Sequence, residues 1–198
     1  MRHLTQADYR RTPWKNGGGE TVELATFPEG ATLDAFIWRL SMARIDGDGP
    51  FSTFEGVDRT ILVHTGAGIV LTVDGVETAL RRGDRPFAFS GDAATACRLL
   101  DGAVIDINVM SRRSLVRHGL SLAGPSDTIV GRDHTLVLAL TPLRLVASDI
   151  EVAAADLIAL APGEKVRIAT GEAMAVHFEP MGAPGMQEAV PGLTRNAD

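Results

Sequence analysis

Apolar residues recur along this chain with a period of two, not 3.6. Phe36, Trp38, Leu40 and Met42 alternate with Ile37, Arg39, Ser41 and Ala43, and successive side chains of a strand point to opposite faces. The runs 61–63, 69–73 and 76–80 are short and rich in β-branched residues. Turn chemistry separates them: Thr65-Gly66-Ala67-Gly68, then Asp74-Gly75, a strong hairpin signal. Arg82-Gly83-Asp84, Ser90-Gly91-Asp92 and Asp101-Gly102 punctuate further strands at 86–89, 96–100 and 104–110. Residues 111–131 are more polar and read as a connection. Strand-like runs resume at 135–140, 143–147, 150–153, 157–160, 166–169 and 173–178, although the alanines of 152–160 would also suit a helix. Many short strands at this spacing predict an all-β fold, an antiparallel sandwich or barrel in two successive halves. The expected division is 1–115, 116–180 and a loose Pro/Gly/Met-rich tail, 181–198.

Several function classes are disfavoured. A net charge of -6 opposes a general electrostatic grip on nucleic acid or an anionic membrane. No apolar stretch approaches the roughly 20 residues that a spanning helix needs. Residues 1–8 lack the apolar segment of a signal peptide, so the expectation is a soluble cytoplasmic protein. The single cysteine, Cys97, excludes an internal disulfide and sits in an apolar run as a buried thiol. Neither a phosphate loop nor a dinucleotide fingerprint occurs. The five histidines, His3, His64, His118, His134 and His177, show no short metal-ligand spacing. No metal and no other cofactor is expected.

Polar residues inside strands mark the candidate site. In 104–110 one face carries Ile105, Ile107 and Val109, and the other carries Asp106 and Asn108. The face of 36–45 that bears Ile37 and Ala43 also bears Arg39 and Ser41. Charged groups turned into a barrel need partners. A salt bridge from Arg39 or Arg59 to Asp106 would serve, and so would a polar ligand. The guanidinium fork of Arg39 suits a carboxylate, and Arg59 opens the strand after Asp58. Phe51, Phe87 and Phe89 read as core. Near the start, Pro13-Trp14-Lys15-Asn16-Gly17-Gly18-Gly19-Glu20-Thr21 sets an aromatic, a cation and an amide before three glycines. Glycine suits a sharp turn or a close approach of the main chain. Trp14 offers an apolar wall, Lys15 a charge, Asn16 donors and acceptors, and Gly17 and Gly18 an open backbone. The expected ligand is a small carboxylate with an amide or other polar group.

The rhythm Ile61-Leu62-Val63-His64-Thr65-Gly66-Ala67-Gly68, Val73-Asp74-Gly75, Arg82-Gly83-Asp84, Phe87-Ala88-Phe89 resembles a cupin half-barrel, and 157–164 echoes it weakly. The positions where cupins usually hold a metal have no histidine here. More specifically, Pro13-Trp14-Lys15-Asn16-Gly17-Gly18-Gly19, Trp38-Arg39-Leu40-Ser41, Gly49-Pro50-Phe51-Ser52 and Asp58-Arg59-Thr60 resemble the HutD/Ves family. So do Phe87-Ala88-Phe89-Ser90-Gly91-Asp92, Leu99-Leu100-Asp101-Gly102 and Asp106-x-Asn108-x-Met110-x-Arg112-Arg113. The resemblance spans 13–113 in family order. It implies a bicupin of two cupin-like β-barrel halves, linked to bacterial histidine utilization or, in the Ves branch, stress response. It also implies binding of a small intermediate such as N-formylglutamate or urocanate, with regulation of pathway output and no established catalysis. The other reading is a metal-free cupin enzyme, an isomerase or hydrolase. There Asp106 or His64 would be the general base, and Lys15 or Arg39 would stabilise developing charge. Cupins often pair sheet edges, so a homodimer is among the expectations.

Overall fold

Four β-sheets, stacked as layers, make up the protein. A computed structural model describes residues 1–14, 17–148 and 150–181; the expected tail 182–198 lies outside the described residues. The first strands are β1 (Arg2–Leu4), β2 (Arg10–Pro13), β3 (Gly19–Phe27), β4 (Trp38–Ile45), β5 (Gly49–Pro50) and β6 (Val57–Thr65). Next come β7 (Ile69–Val73), β8 (Val76–Leu80), β9 (Phe87–Ser90), β10 (Thr95–Leu99), β11 (Val104–Arg112) and β12 (Val116–Ala123). The remainder are β13 (Thr128–Val130), β14 (Thr135–Ala139), β15 (Arg144–Leu145), β16 (Leu157–Leu160), β17 (Lys165–Thr170) and β18 (Ala173–Pro180). Apart from one 3-10 turn at Gln6–Asp8, no helix interrupts them among the described residues.

A six-stranded sheet, β2-β3-β4-β11-β6-β9, lies between a four-stranded sheet, β5-β10-β7-β8, and a five-stranded sheet, β1-β16-β14-β18-β12. The fourth layer is β13-β17-β15. Shared apolar clusters define the stacking. Ile45, Ile61 and Val63 of the six-stranded sheet meet Ile69, Leu71 and Cys97 of the four-stranded one. On its other face, Leu40, Met42, Leu62 and Val109 meet Leu138, Met174, Val176 and Phe178. Val137, Ile158 and Ala175 then meet Ile129, Val166 and Ile168 of the last layer. Alternation along each strand thus serves two cores at once. Strand pairing closes neither sandwich into a barrel among the described residues. All the strand pairs are antiparallel, and β1 crosses from the chain start to the five-stranded sheet, pairing with β16.

The stretch expected to be a connection, 111–131, instead contains β12 and β13. Val116, Leu120 and Leu122 alternate along β12, but it is an edge strand whose outward residues Arg117, Gly119 and Ser121 face solvent. Its composition therefore resembles that of a loop. The ambiguous stretch 152–160 is not helical. Val152 forms an isolated bridge with Leu143, and β16 starts only at Leu157. The run 143–147 shortens to the two residues of β15.

Between the six- and five-stranded sheets, Trp38 stacks on Phe178 at 4.3 Å and 11°, and Phe27 lies on its other side at 5.8 Å. Beside this stack the ring of His118 on β12 joins two hydroxyls of the neighbouring sheet. Its Nε2 is 2.8 Å from Thr60 Oγ1 and its Nδ1 is 2.7 Å from Ser111 Oγ. Burial holds this imidazole below its usual pKa, so the neutral ring, one nitrogen donating and one accepting, satisfies both hydroxyls. Thr60→Val keeps the shape and orphans one nitrogen, which is expected to cost about 1–3 kcal/mol in urea unfolding. Thr60→Ser should restore most of the loss.

Candidate functional site

The polar residues of the six-stranded sheet gather on the face turned toward the four-stranded sheet, and antiparallel register sets them in rows. Arg39, Met110, Arg59 and Phe89 form one row across β4, β11, β6 and β9. Glu23, Ser41, Asn108, Ile61 and Phe87 form the next, and Thr21, Ala43, Asp106 and Val63 the third. Directly opposed residues of antiparallel strands share a face, so one polar floor holds Arg39, Ser41, Arg59, Asp106 and Asn108. Above it, Ile69, Leu71, Val73, Cys97 and Leu99 provide an apolar ceiling.

The ion pairing differs from the two bridges weighed from sequence. Arg39 donates from Nε to Glu23 Oε2 at 2.7 Å and from Nη1 to Ser41 Oγ at 3.2 Å. Both members of the Arg39–Glu23 pair are largely buried. Glu23 is the member of this polar cluster that the sequence reading did not single out. The signal was available in β3, where Thr21 and Glu23 share a strand face, but pairing with Arg39 also depends on the bulge between Glu23 and Ala25. Arg59 makes no ion pair among the described residues. Its Nη1 donates to Ser52 O at 3.2 Å, and its Nε has no hydrogen-bond partner. Three rings enclose it, with its guanidinium carbon 4.9 Å from the centroid of Phe89, 5.3 Å from Phe51 and 5.5 Å from Phe54. Phe51 and Phe89 are thus half-buried core residues that also wall the cation. Asn108 Oδ1 is likewise buried with no hydrogen-bond partner among the described residues.

Asp106 is 1% exposed, and its Oδ1 accepts the Ala43 N–H at 3.1 Å. Burial pushes its carboxyl up to about 7, against the opposing pull of the Arg59 charge and that hydrogen bond. Burial also lowers Arg59 to about 10, in spite of Asp106 and with help from the like charge of Arg39. For both groups the loss of solvation outweighs their mutual attraction. Cys97 is buried as expected, its thiol pushed up to about 12 by burial and then by Asp106.

The glycine run makes a tight connection from β2 to β3. Trp14 donates its N–H to Gly19 O at 2.9 Å, and Gly17 donates to Trp14 O at 3.0 Å. Gly17 sits at φ +71°, and a Cβ on Gly19 would lie 2.1 Å from Arg44 O. Local geometry therefore requires glycine at both positions. Asp46 donates its N–H to Gly18 O at 2.9 Å, which ties the turn to the end of β4. Trp14 packs against the cluster between the sheets and donates Nε1–H to Thr21 Oγ1 at 2.8 Å, at the end of the polar floor. Lys15 and Asn16 lie outside the described residues. His64 is the unpaired residue of a bulge in β6, between Val63 opposite Asp106 and Thr65 opposite Ile105, and burial holds its imidazole below its usual pKa. Among the described residues no group of three His, Cys, Asp or Glu side chains could hold a metal ion, and no helix is long and apolar enough to cross a membrane.

The HutD family profile matches residues 6–183. The chain belongs to the HutD family. An uncharacterized 21.2 kDa protein in the hutC 3′ region of Pseudomonas putida is 48% identical over 107 residues, covering 54% of this chain and 56% of that one. Protein Ves of Citrobacter koseri is 38% identical over 128 residues, covering 63% and 66%. The chain thus spans between about half and two thirds of the length of these relatives. The structure of HutD from Pseudomonas fluorescens SBW25 superposes with a TM-score of 0.79 at 31% identity, covering 91% of this chain and 99% of that one.

Proposed function

We propose that this HutD-family protein binds a small carboxylate, of the N-formylglutamate or urocanate type, on the polar floor, and thereby regulates histidine utilization. The carrying observation is a pair of buried, unsatisfied atoms on one sheet face, the Arg59 Nε donor and the Asn108 Oδ1 acceptor. Buried polar atoms are nearly always paired. A guest that presents a carboxylate oxygen beside an N–H group would satisfy both at once. Charge supports the same reading. Arg39 is neutralised by Glu23, whereas among the described residues Arg59 has no ion pair and feels the charge of Asp106 when that carboxyl is ionised, so protonation of Asp106 leaves one uncompensated cation. The apolar ceiling suits the carbon skeleton of the guest. In this reading residues 1–115 and 116–180 are two cupin-like halves, and Trp14, Gly17 and Gly18 close one end of the first.

Thermal shift and calorimetry with N-formylglutamate, urocanate, histidine and glutamate test this directly. The expected result is saturable stabilisation by at least one of the four at millimolar concentration. Silence from every acid would refute the ligand reading. Asp106, poised near neutrality, and His64 at the neighbouring bulge are the acid–base groups of the enzyme reading. Turnover of one of these acids, lost in Asp106→Asn, would replace binding with catalysis.

A further inference from the structure

The C-terminal sandwich keeps its interior apolar and places its charges at the mouth. Two adjoining hollows of about 160 and 330 Å³ open there, and both are lined by Ser121, Arg132 and His177. Gly119 lies opposite His177 in the β12–β18 register, and the space where its side chain would stand is open. Arg117 and Arg132 reach the same carboxylate, Glu179, at 3.5 and 3.0 Å. Two guanidiniums therefore share one negative charge. Asp127, the other carboxylate at the hollow, accepts the Gly124 N–H at 2.8 Å within its own turn.

The cationic side of this mouth is held in position. The Arg132 backbone N–H donates to Thr135 Oγ1 at 2.8 Å, and that hydroxyl lies 2.9 Å from His177 Nδ1. One threonine thus fixes both the arginine and the ring. Burial, and after it the Arg132 charge, holds His177 below its usual pKa, while Glu179 pulls the other way. A neutral imidazole therefore stands beside the Arg132 guanidinium at pH 7. The hydroxyls of Ser121 and Thr128 and the apolar side chains of Leu122 and Ile129 complete the lining.

We propose that this mouth is a second binding site, for a small anion whose carboxylate or phosphate group takes the place of Glu179 between Arg117 and Arg132. Guanidinium forks favour such oxygens, and Ser121, which lines both hollows, offers a hydroxyl beside them. The site is independent of the polar floor in the other sandwich.

The test follows the His177 ring and the Gly119 amide by NMR while acetate or inorganic phosphate is titrated into the full chain. Saturable shifts at millimolar anion are expected, together with a rise in the His177 pKa, because a bound anion favours imidazolium. Arg132→Gln should weaken binding about fivefold, and Glu179→Gln should strengthen it about threefold by removing the competing carboxylate. A purely structural ion pair would give no strengthening. The anion that saturates at lower concentration separates a carboxylate ligand from a phosphate ligand. Binding unchanged in both variants, or no His177 shift at tens of millimolar of either anion, would overturn the proposal.

Discussion

Asp106→Asn is expected to be more stable than the unsubstituted protein at pH 8 and equally stable at pH 4. The folded carboxyl titrates at about 7, above its unfolded value of roughly 3.9. Between those pH values the folded state retains a proton that the unfolded state has released, so unfolding becomes easier as pH rises. Asp106 therefore stabilises the fold relatively below pH 4, and that contribution is lost as pH climbs through about 7. Its size is on the order of 4 kcal/mol, about three pKa units at 1.36 kcal/mol each. Asparagine resembles the protonated acid and keeps an oxygen for the Ala43 N–H, so this slope should vanish. The half-buried histidines His64, His118, His134 and His177 have lowered pKa values and oppose the slope, because the stability they add grows as pH rises toward their unfolded values. The measurement is consequently the difference between variant and unsubstituted protein in urea titrations from pH 4 to 8. A pH-independent difference would mean that Asp106 is ionised throughout and that a partner compensates its charge.

How far the sequence anticipates these features depends on the range of the interaction. Alternation is local, so Arg39 with Ser41 and Asp106 with Asn108 can be assigned to strand faces from their own neighbours. Asp74-Gly75 is local too, and both residues adopt the positive φ that such a hairpin needs, +47° and +83°. The partner of Arg39 is not local. It requires the β3–β4 register and a bulge, neither of which is encoded in the arginine's own strand. β12 escaped notice for a different reason: a strand at a sheet edge is released from the apolar demand on its outer positions. The mouth formed by Arg117, Arg132 and Glu179 depends on three separated segments and has no period to read. The glycine run shows the converse. Its composition suggested a ligand loop, while at least Gly17 and Gly19 are already required by backbone geometry.

Arg59→Met should separate stability from binding. Arg59 is 5% exposed and its guanidinium has one hydrogen bond among the described residues, so its desolvation is offset by the three surrounding rings and by the charge of Asp106 when that carboxyl is ionised. Methionine fills similar apolar space and carries no charge to desolvate. The ligand-free variant is therefore expected to match or exceed the parent in Tm. Binding should collapse, because loss of a buried charge partner typically costs about 2–5 kcal/mol. N-formylglutamate, urocanate or whichever acid gives a shift with the parent should lose at least about thirtyfold in affinity, the lower end of that range. The same substitution removes the positive charge that opposes protonation of Asp106, so the pH-dependent loss of stability should move to higher pH. Lower Tm with ligand affinity retained would assign Arg59 a packing role against Phe51, Phe54 and Phe89. Stability kept, affinity lost and the Asp106 transition displaced upward would together identify Arg59 as a cation held in reserve for a bound anion.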